Sequence, residues 1–172
     1  MSTRISKLYN ANVYIDGDSY AGLAEEVTLP DLKPKTSEHK ALSNIGSFEL
    51  PTGLDKMGMK IKWNTVNADI MAGAADFYTS KDIMIRSNID IWEGGSKTGS
   101  VPCVAFVKGL SKKVPELGIK HQDNVESDME FNVTAYKLVI DGAVVFDVDY
   151  FANVYIVDGD DKLADYRDIL GL

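Results

Sequence analysis

The sequence predicts a mainly β fold, a β-sandwich or partly closed barrel of about seven or eight antiparallel strands. Several runs alternate hydrophobic with polar residues, a period of two that is typical of strands with one buried face. Clusters of glycine, aspartate and serine separate these runs, as expected for hairpin turns. Only two segments have helical spacing, one in mid-chain and a short one near the C-terminus.

The N-terminal part predicts a hairpin followed by an extended arm. Residues 8–15 and 20–29 are β-prone and flank the turn-forming residues 16–19. Pro30 and Pro34 then interrupt the pattern, because proline has no amide donor for a strand ladder. Hydrophobic residues are sparse from 36 to 53, so this segment is predicted to be an irregular arm that contacts a partner.

The middle of the chain predicts a strand, a helix and a hairpin. Residues 57–63 alternate strictly, and Asn67 or Asp69 is placed to cap a helix that continues to Tyr78. Strands are predicted at 83–92 and 101–110, with the glycines after Glu93 at the hairpin tip.

The C-terminal part predicts a second hairpin and a final helix. A charged connection, residues 111–124, leads to a long strand at 125–140, which turns at Asp141-Gly142 into a strand at 143–151. A short strand at 153–157 follows, and Asp160 or Asp161 is predicted to cap the last helix.

Composition limits the classes of function. The 172 residues are predicted to form a single domain, 1–172. A net charge of -8 disfavours tight binding to DNA backbones or anionic membranes. The one cysteine, the absence of an apolar N-terminal leader and the absence of a long apolar run predict synthesis in a reducing cytoplasm and no membrane-spanning helix.

The nucleophiles and histidines do not form a recognisable catalytic pattern. Residues 93–100 contain glycines and a lysine but lack the Gly-Lys-Ser/Thr order of a phosphate loop, which favours a plain turn. His39 and His121 have no ligand or nucleophile at local spacing. Cys103 lies on the apolar side of its strand, where a small core residue is expected.

The clustered aspartates also favour structural roles. Those at 158–161 lack the ligand spacing of a calcium loop, and helix capping explains them better. Asp147 and Asp149 share a strand face without a recognisable pocket, which favours a solvated face or an interface over an acid/base pair. No catalytic residue, metal or cofactor is therefore expected.

A polar row follows the long strand predicted at 125–140. Glu126, Asp128, Glu130 and Asn132 alternate with apolar residues. By itself this row indicates the solvated side of an antiparallel sheet.

Five blocks of the sequence, taken in order, resemble the major tail tube proteins of contractile-tailed phages and R-type tailocins. These blocks cover residues 12–22, 27–35, 53–55 with the strand after them, 136–142 and 161–172, the last ending in Gly171-Leu172. Each block alone is weak, but their order along nearly the whole chain is specific.

The resemblance implies a tail-tube-like structural subunit without an active site. Six subunits would form a ring whose inner wall is a continuous β-barrel, and rings would stack helically into a hollow conduit for DNA delivery or membrane puncture. It implies as partners further copies of the chain, a tail sheath protein, a tape measure protein, and baseplate and tail terminator proteins, with DNA passing through transiently. The expected location is the virion tail, assembled in the host bacterial cytoplasm.

Two groups of residues gain specific expectations from this resemblance. The arm at 36–53 is the candidate contact between rings, and its anchors are Leu42, Ile45, Phe48 and Leu50. The candidate lumen face consists of Lys60, Lys62, Glu126, Asp128, Glu130 and Asn132, whose acids would repel DNA while the lysines form cross-strand pairs.

Two other functions remain open at this point. A type VI secretion-like tube protein would share the ring-forming fold. A small-ligand-binding β-barrel would instead be a monomer with a closed apolar cavity.

Overall fold

A computed structural model describes residues 3–40, 45–119, 121 and 125–172. These residues form twelve strands and two helices in the described part of the chain: β1 Arg4–Ile15, β2 Asp18–Ser19, β3 Ala24–Thr28, β4 Pro34–His39, β5 Phe48–Leu54, β6 Met57–Trp63, α1 Ala68–Ala75, β7 Lys81–Glu93, β8 Ser96–Lys113, β9 Ser127–Ile140, β10 Ala143–Asp149, β11 Val154–Val157, β12 Asp160–Asp161 and α2 Ala164–Leu170. The mainly β class and the two helices are confirmed.

Ten of these strands form one antiparallel, branched sheet. The long path runs β12-β11-β10-β9-β8-β7-β1-β2. Strand β9 branches, since β6 pairs with its first half at Ser127–Val133 and β10 pairs with its second half. Strand β3 extends the branch by pairing with β6. The sheet is not closed into a barrel, so the fold does not provide the closed cavity that a small-ligand barrel requires.

The core lies between the two branches. Strand β6 contributes Met57, Met59, Ile61 and Trp63, all at most 2% exposed, which confirms the strict alternation predicted there. Strands β7 and β8 contribute residues such as Ile83 to the same cluster.

Helix α1 closes one side of this core. Asn67 accepts hydrogen bonds from the amides of Asp69 (2.8 Å) and Ile70 (3.3 Å), which confirms the predicted cap. Ile70 is buried, and the Ser111 hydroxyl donates to the Ala74 carbonyl at 2.7 Å, which joins the end of the helix to β8.

Two predicted hairpin turns are confirmed. Asp141 and Gly142 have positive φ angles of 52° and 79° between β9 and β10, and Gly94 and Gly95 have 58° and 84° between β7 and β8. Two consecutive positive φ angles define the hairpin turn that matches the twist of the flanking strands, and glycine adopts them without strain.

The predicted N-terminal hairpin is largely wrong. The chain does turn at Asp16-Gly17, but only Tyr14 and Ile15 pair across it, with Ser19 and Asp18. Strand β1 pairs with β7 instead, and β3 pairs with β6. Alternation shows that a segment is a strand but does not select its partner, which here depends on core contacts distant in sequence.

The arm is not irregular, as its composition suggested, but a separate two-stranded sheet of β4 and β5, here called the arm hairpin. Most of its residues are exposed, so the alternation that reveals a half-buried strand is missing. Phe48 and Leu50 are 47% and 46% exposed, and Ile45 is fully exposed. The fourth predicted anchor, Leu42, lies outside the described residues.

Gly109 provides a test of the packing between β8 and β9. A Cβ atom at this position would lie 2.7 Å from the Asn132 carbonyl oxygen, too close for a backbone neighbour. We expect Gly109→Ala to lower the free energy of unfolding by about 1–3 kcal/mol, measured by urea denaturation.

The matched control is Gly73→Ala, because a Cβ there meets open space within α1. Alanine favours a helix interior, so this variant is expected to be as stable as the parent or up to about 1 kcal/mol more stable. Equal stability of the two variants would contradict the predicted steric conflict.

Candidate assembly surfaces

The polar row predicted on β9 lies beside the lysines of β6 on one surface. Antiparallel register places Lys60 opposite Glu130, Lys62 opposite Asp128 and Gly58 opposite Asn132. Directly opposed residues share a sheet face. The predicted residues Lys60, Lys62, Glu126, Asp128, Glu130 and Asn132 are therefore brought together, and we call their surface the charged face.

Ion pairs connect this face across its strands. Lys60 Nζ lies 2.7 Å from Asp128 Oδ2, and Lys62 Nζ lies 3.0 Å from Glu126 Oε2. Lys62 also reaches Glu25 of β3, at 3.4 Å. The hydrogen bond that Lys62 donates to Glu126, together with the contact with Glu25, raises the pKa of Lys62. The cross-strand pairing proposed from the sequence is thus present.

Two lysines that the sequence pattern missed complete the face. Glu130 accepts from Lys113 at 2.9 Å and from Lys112 at 3.4 Å, and these contacts hold its pKa below the usual range. Both lysines were assigned to a loop, because the predicted strand ended at Leu110 whereas β8 continues to Lys113.

The charged face is close to electrical balance. Its four lysines oppose four carboxylates, those of Glu25, Glu126, Asp128 and Glu130. One strand considered alone appears acidic, since β9 contributes carboxylates while β6 and β8 contribute the lysines. The net charge of -8 therefore arises mainly from other surfaces.

The layer behind this face has an unpaired edge on each side. Its strand order is β3-β6-β9-β8, and the only strand that pairs with β3 in the described chain is β6. At the other side, β7 pairs with β8 only as far as Gly109, so no described strand covers the β7 side of Leu110–Lys113. Exposed main-chain donors and acceptors on such edges favour pairing with another chain.

The hairpin tip between β7 and β8 binds its own lysine. Asp90 is only 8% exposed and accepts from Asn88 (2.6 Å), Ser100 (2.7 Å) and Lys97 (2.7 Å). The Lys97 contact, reinforced by Ser100 and Asn88, lowers the pKa of Asp90. Lys97 is thus paired with Asp90 within the β7–β8 hairpin, which agrees with a plain turn rather than a phosphate loop.

The remaining candidate nucleophiles and histidines are dispersed. His39 packs against Phe48, with ring centroids 5.3 Å apart, on the arm hairpin. His121 is exposed between segments outside the described residues, and Cys103 is buried in β8. Among the described residues, no group of three or more His, Cys, Asp or Glu side chains is arranged to hold a metal ion.

The clustered aspartates have individual structural partners. Asp147 pairs with Lys137 at 3.0 Å, whereas Asp149 accepts from the amides of Phe151 and Ala152 in the following turn. The predicted caps of the final helix are wrong, because α2 begins after Leu163 without a side-chain cap. Asp161 instead pairs with Arg167, which lowers its pKa.

None of the helices in the described part of the chain is long and apolar enough to cross a bilayer.

The pairing at Glu130 predicts a pH-dependent contribution to stability. Its pKa is lowered in the folded state, so its stabilising effect is present above the unfolded carboxyl pKa of about 4.3 and is lost as the pH falls through the lowered value. We expect Glu130→Gln to reduce the free energy of unfolding by about 0.5 kcal/mol at pH 7. The difference from the parent protein should shrink progressively below about pH 5, as measured by urea denaturation.

Glu26→Gln is the control, since no ion pair of Glu26 is present among the described residues. This substitution should leave the free energy of unfolding almost unchanged, both at pH 7 and below about pH 5. A deficit of Glu130→Gln that stays constant down to pH 3 would show that the side chain acts through packing rather than charge.

Comparison with known proteins agrees with this fold. Residues 5–171 match the model of the family described as phage tail tube protein FII. The tail tube protein of Escherichia phage P2 is 27% identical over 167 residues, covering 96% of this chain and 97% of that protein.

Two solved structures have the same fold at low identity. A chain of the six-fold symmetrised baseplate of the anti-feeding prophage AFP has a TM-score of 0.53 and 9% identity, covering 75% of this chain and 90% of that one. A chain of the sheath-tube complex of the extracellular contractile injection system PVC, in its extended state, has a TM-score of 0.51 and 11% identity, covering 77% and 88%. Because the family model matches nearly the whole sequence, this chain belongs to the phage tail tube protein FII family and is a structural subunit of a contractile tail tube.

Proposed function

We propose that six copies of this chain close into a ring through their free sheet edges and that the rings stack into a hollow tube. The observation that carries the proposal is the layer β3-β6-β9-β8, which has a charged face, a buried face and an unpaired edge on each side. Pairing β3 of one subunit with Leu110–Lys113 of the next makes the layer continuous and removes both edges.

The dimensions support a channel. Six layers of four strands give 24 strands, and a spacing of about 4.8 Å with a tilt near 40° corresponds to a barrel roughly 48 Å across. Barrels of about 16 strands already enclose an aqueous channel. The number six is supported by the six-fold symmetry of the AFP baseplate, one chain of which shares this fold.

The charged face lines the channel in this arrangement. Its lysines are already held by carboxylates of the same subunit, so they are not free to bind phosphates, and its acids do not form a strongly repulsive field. DNA and a tape measure protein can then pass without tight adsorption. The tube itself is a passive conduit, and no catalytic step is assigned to it.

The outer surfaces face the other parts of the particle. The structural relatives belong to a sheath-tube complex and a baseplate, which supports a sheath around this tube and a baseplate at one of its ends. The protein is then a component of the virion tail that assembles in the cytoplasm of the host bacterium.

The arm hairpin contacts the adjacent ring. It projects apolar side chains without a core of its own, and its only described strand partners are β4 and β5 themselves. Phe48 and Leu50 share one face of this hairpin, because they alternate with Glu49 along β5. That face is suited to pack on another subunit.

Electron microscopy at high protein concentration tests the tube and the arm together. The parent chain is expected to form rings and tubes, whereas Phe48→Ser/Leu50→Ser is expected to form rings but few tubes, because the apolar contact between rings is lost. A dispersed parent monomer at all concentrations would contradict the proposed function.

Val145→Ser is the control for the arm variant. Val145 is also exposed, at 38%, but lies on β10, away from the arm. It should form tubes like the parent. Normal tubes from the Phe48/Leu50 variant would show that the arm hairpin does not connect rings.

A thiol at position 128 tests the lumen assignment. Asp128→Cys is expected to react with a small maleimide in both free subunits and tubes, but with a maleimide on a large polymer only before assembly, because the channel excludes the polymer. The native Cys103 is buried and provides little background. Rapid polymer labelling of intact tubes would place the charged face outside the channel.

A further inference from the structure

Helix α2 is ordered although it buries none of its residues in its own subunit. Isolated helices of this length are unstable in water, so its order depends on specific contacts. Arg167 supplies them on the inner side, donating to the Asn153 carbonyl at 2.8 Å and pairing with Asp161.

The end of α2 is fixed as well. Gly171 has a left-handed φ of 69°, and its amide donates to the Asp168 carbonyl at 3.3 Å, while the Leu172 amide donates to the Arg167 carbonyl at 3.0 Å. This pattern is a Schellman motif, which normally accompanies a hydrophobic contact at the helix end. Here the apolar side chains remain in solvent.

These side chains form one exposed surface with two carboxylates. Tyr166, Ile169, Leu170 and Leu172 are 50%, 83%, 54% and 70% exposed. Helical spacing places Asp165 and Asp168 on the same side of α2, three residues apart, and Asp165 points nearly opposite to Arg167. Neither aspartate forms an ion pair among the described residues. We call this surface the α2 face, and its chemistry fits an apolar partner with cations.

A second surface, whose chemistry complements the α2 face, lies on the ten-stranded sheet, on the side that points away from the core. Arg86 is exposed on β7, on the face opposite the core, and register places it beside Asn12 of β1 and Val104 of β8. On the same face, Tyr9 and Phe106 are 41% and 44% exposed. We call this region the Arg86 face.

The charge of the Arg86 face is also complementary to that of the α2 face. Over β1, β7 and β8 this face carries four cations, Lys7, Arg86, Lys97 and Lys108, and two carboxylates, Asp82 and Asp90. Asp90 holds Lys97, and Asp82 lies 3.7 Å from Lys108. Lys7 and Arg86 are the unpaired excess within the described residues, on a chain of net charge -8.

The two faces cannot meet within one subunit. Strand β12, which precedes α2, is separated from β7 by β11, β10, β9 and β8. At about 4.8 Å per strand step this corresponds to roughly 24 Å. Contact between two different patches on separate copies is heterologous, and such contacts generate rings or helical filaments.

We propose that the α2 face of one subunit docks on the Arg86 face of a second copy of this chain, with Asp165 and Asp168 opposite Arg86 and Lys7. This contact rests on the self-assembly proposed above and adds an interface separate from the sheet edges and the arm hairpin.

Charge reversal on both sides tests the contact. Lys7→Glu/Arg86→Glu and Asp165→Arg/Asp168→Arg each place like charges together, so each is expected to raise the concentration needed for assembly by about tenfold or more. The combined variant, Lys7→Glu/Arg86→Glu/Asp165→Arg/Asp168→Arg, restores opposite charges at both positions and should assemble within about twofold of the parent. Sedimentation velocity measures assembly, and thermal unfolding of the monomers verifies folding.

Lys56 provides the matched control, because it is another exposed lysine without an ion pair in the described chain. Lys56→Glu combined with Asp165→Arg/Asp168→Arg should remain defective. Disulfide formation adds a direct readout: Ile169→Cys/Phe106→Cys should produce a ladder of cross-linked subunits, whereas either single variant should not extend beyond dimers.

The outcomes separate this contact from the proposed function. Parent tubes together with normal assembly of Lys7→Glu/Arg86→Glu would overturn the contact alone. The contact would also be overturned if the two charge-reversal variants were folded but defective in assembly and the combined variant did not recover assembly. Failure of the parent chain to assemble under any condition would overturn the tube proposal, and this contact with it.

Discussion

Strand β9 belongs to two layers at once, and a bulge at Thr134 sets how its side chains serve both of them. Before this residue, Met129, Phe131 and Val133 point into the core, whereas after it Tyr136 is the buried residue. One extra residue in the ladder shifts the alternation, because side chains in a strand change face with a period of two.

The bulge is specified by its neighbours. Opposite it, Gly109 has no side chain where the Asn132 carbonyl approaches. The Thr134 hydroxyl donates to the Lys108 carbonyl at 3.2 Å, and the Thr134 carbonyl accepts from the Tyr150 amide at 3.0 Å. The irregular backbone is therefore satisfied on both sides, as buried polar groups generally must be. As a result, the first half of β9 contributes to the charged face in the layer with β6. Its second half presents apolar side chains to β10 in the other layer.

Much of this architecture follows from local patterns that the sequence displays directly. The alternation of Met57–Trp63, the cap at Asn67 and the turn at Asp141-Gly142 were all predictable, because each depends on residues within a few positions of one another. The charged face was partly predictable for the same reason. Its lysines at 112 and 113 were not, since they lie beyond Ser111, the last buried residue of β8, where the pairing with β9 has a second irregularity.

Errors arose where the local pattern does not identify a residue's partner. The segment of β3 resembles the second strand of a hairpin, but its register partners are on β6. The arm hairpin has no buried face and so leaves no alternation to detect. Asp161 resembles a cap but pairs with Arg167, whose guanidinium also donates to the Asn153 carbonyl.

Local sequence patterns therefore establish the strand-rich class, the positions of the main strands and turns, and, through ordered blocks of resemblance, the tail tube family. The folded chain was needed to show which strands pair, where edges remain open, and which charges are already neutralised within the subunit. The physical reason is that periodicity and turn propensity are local properties of the chain. Register, edge exposure and ion pairing are properties of residues that meet only after the chain has folded.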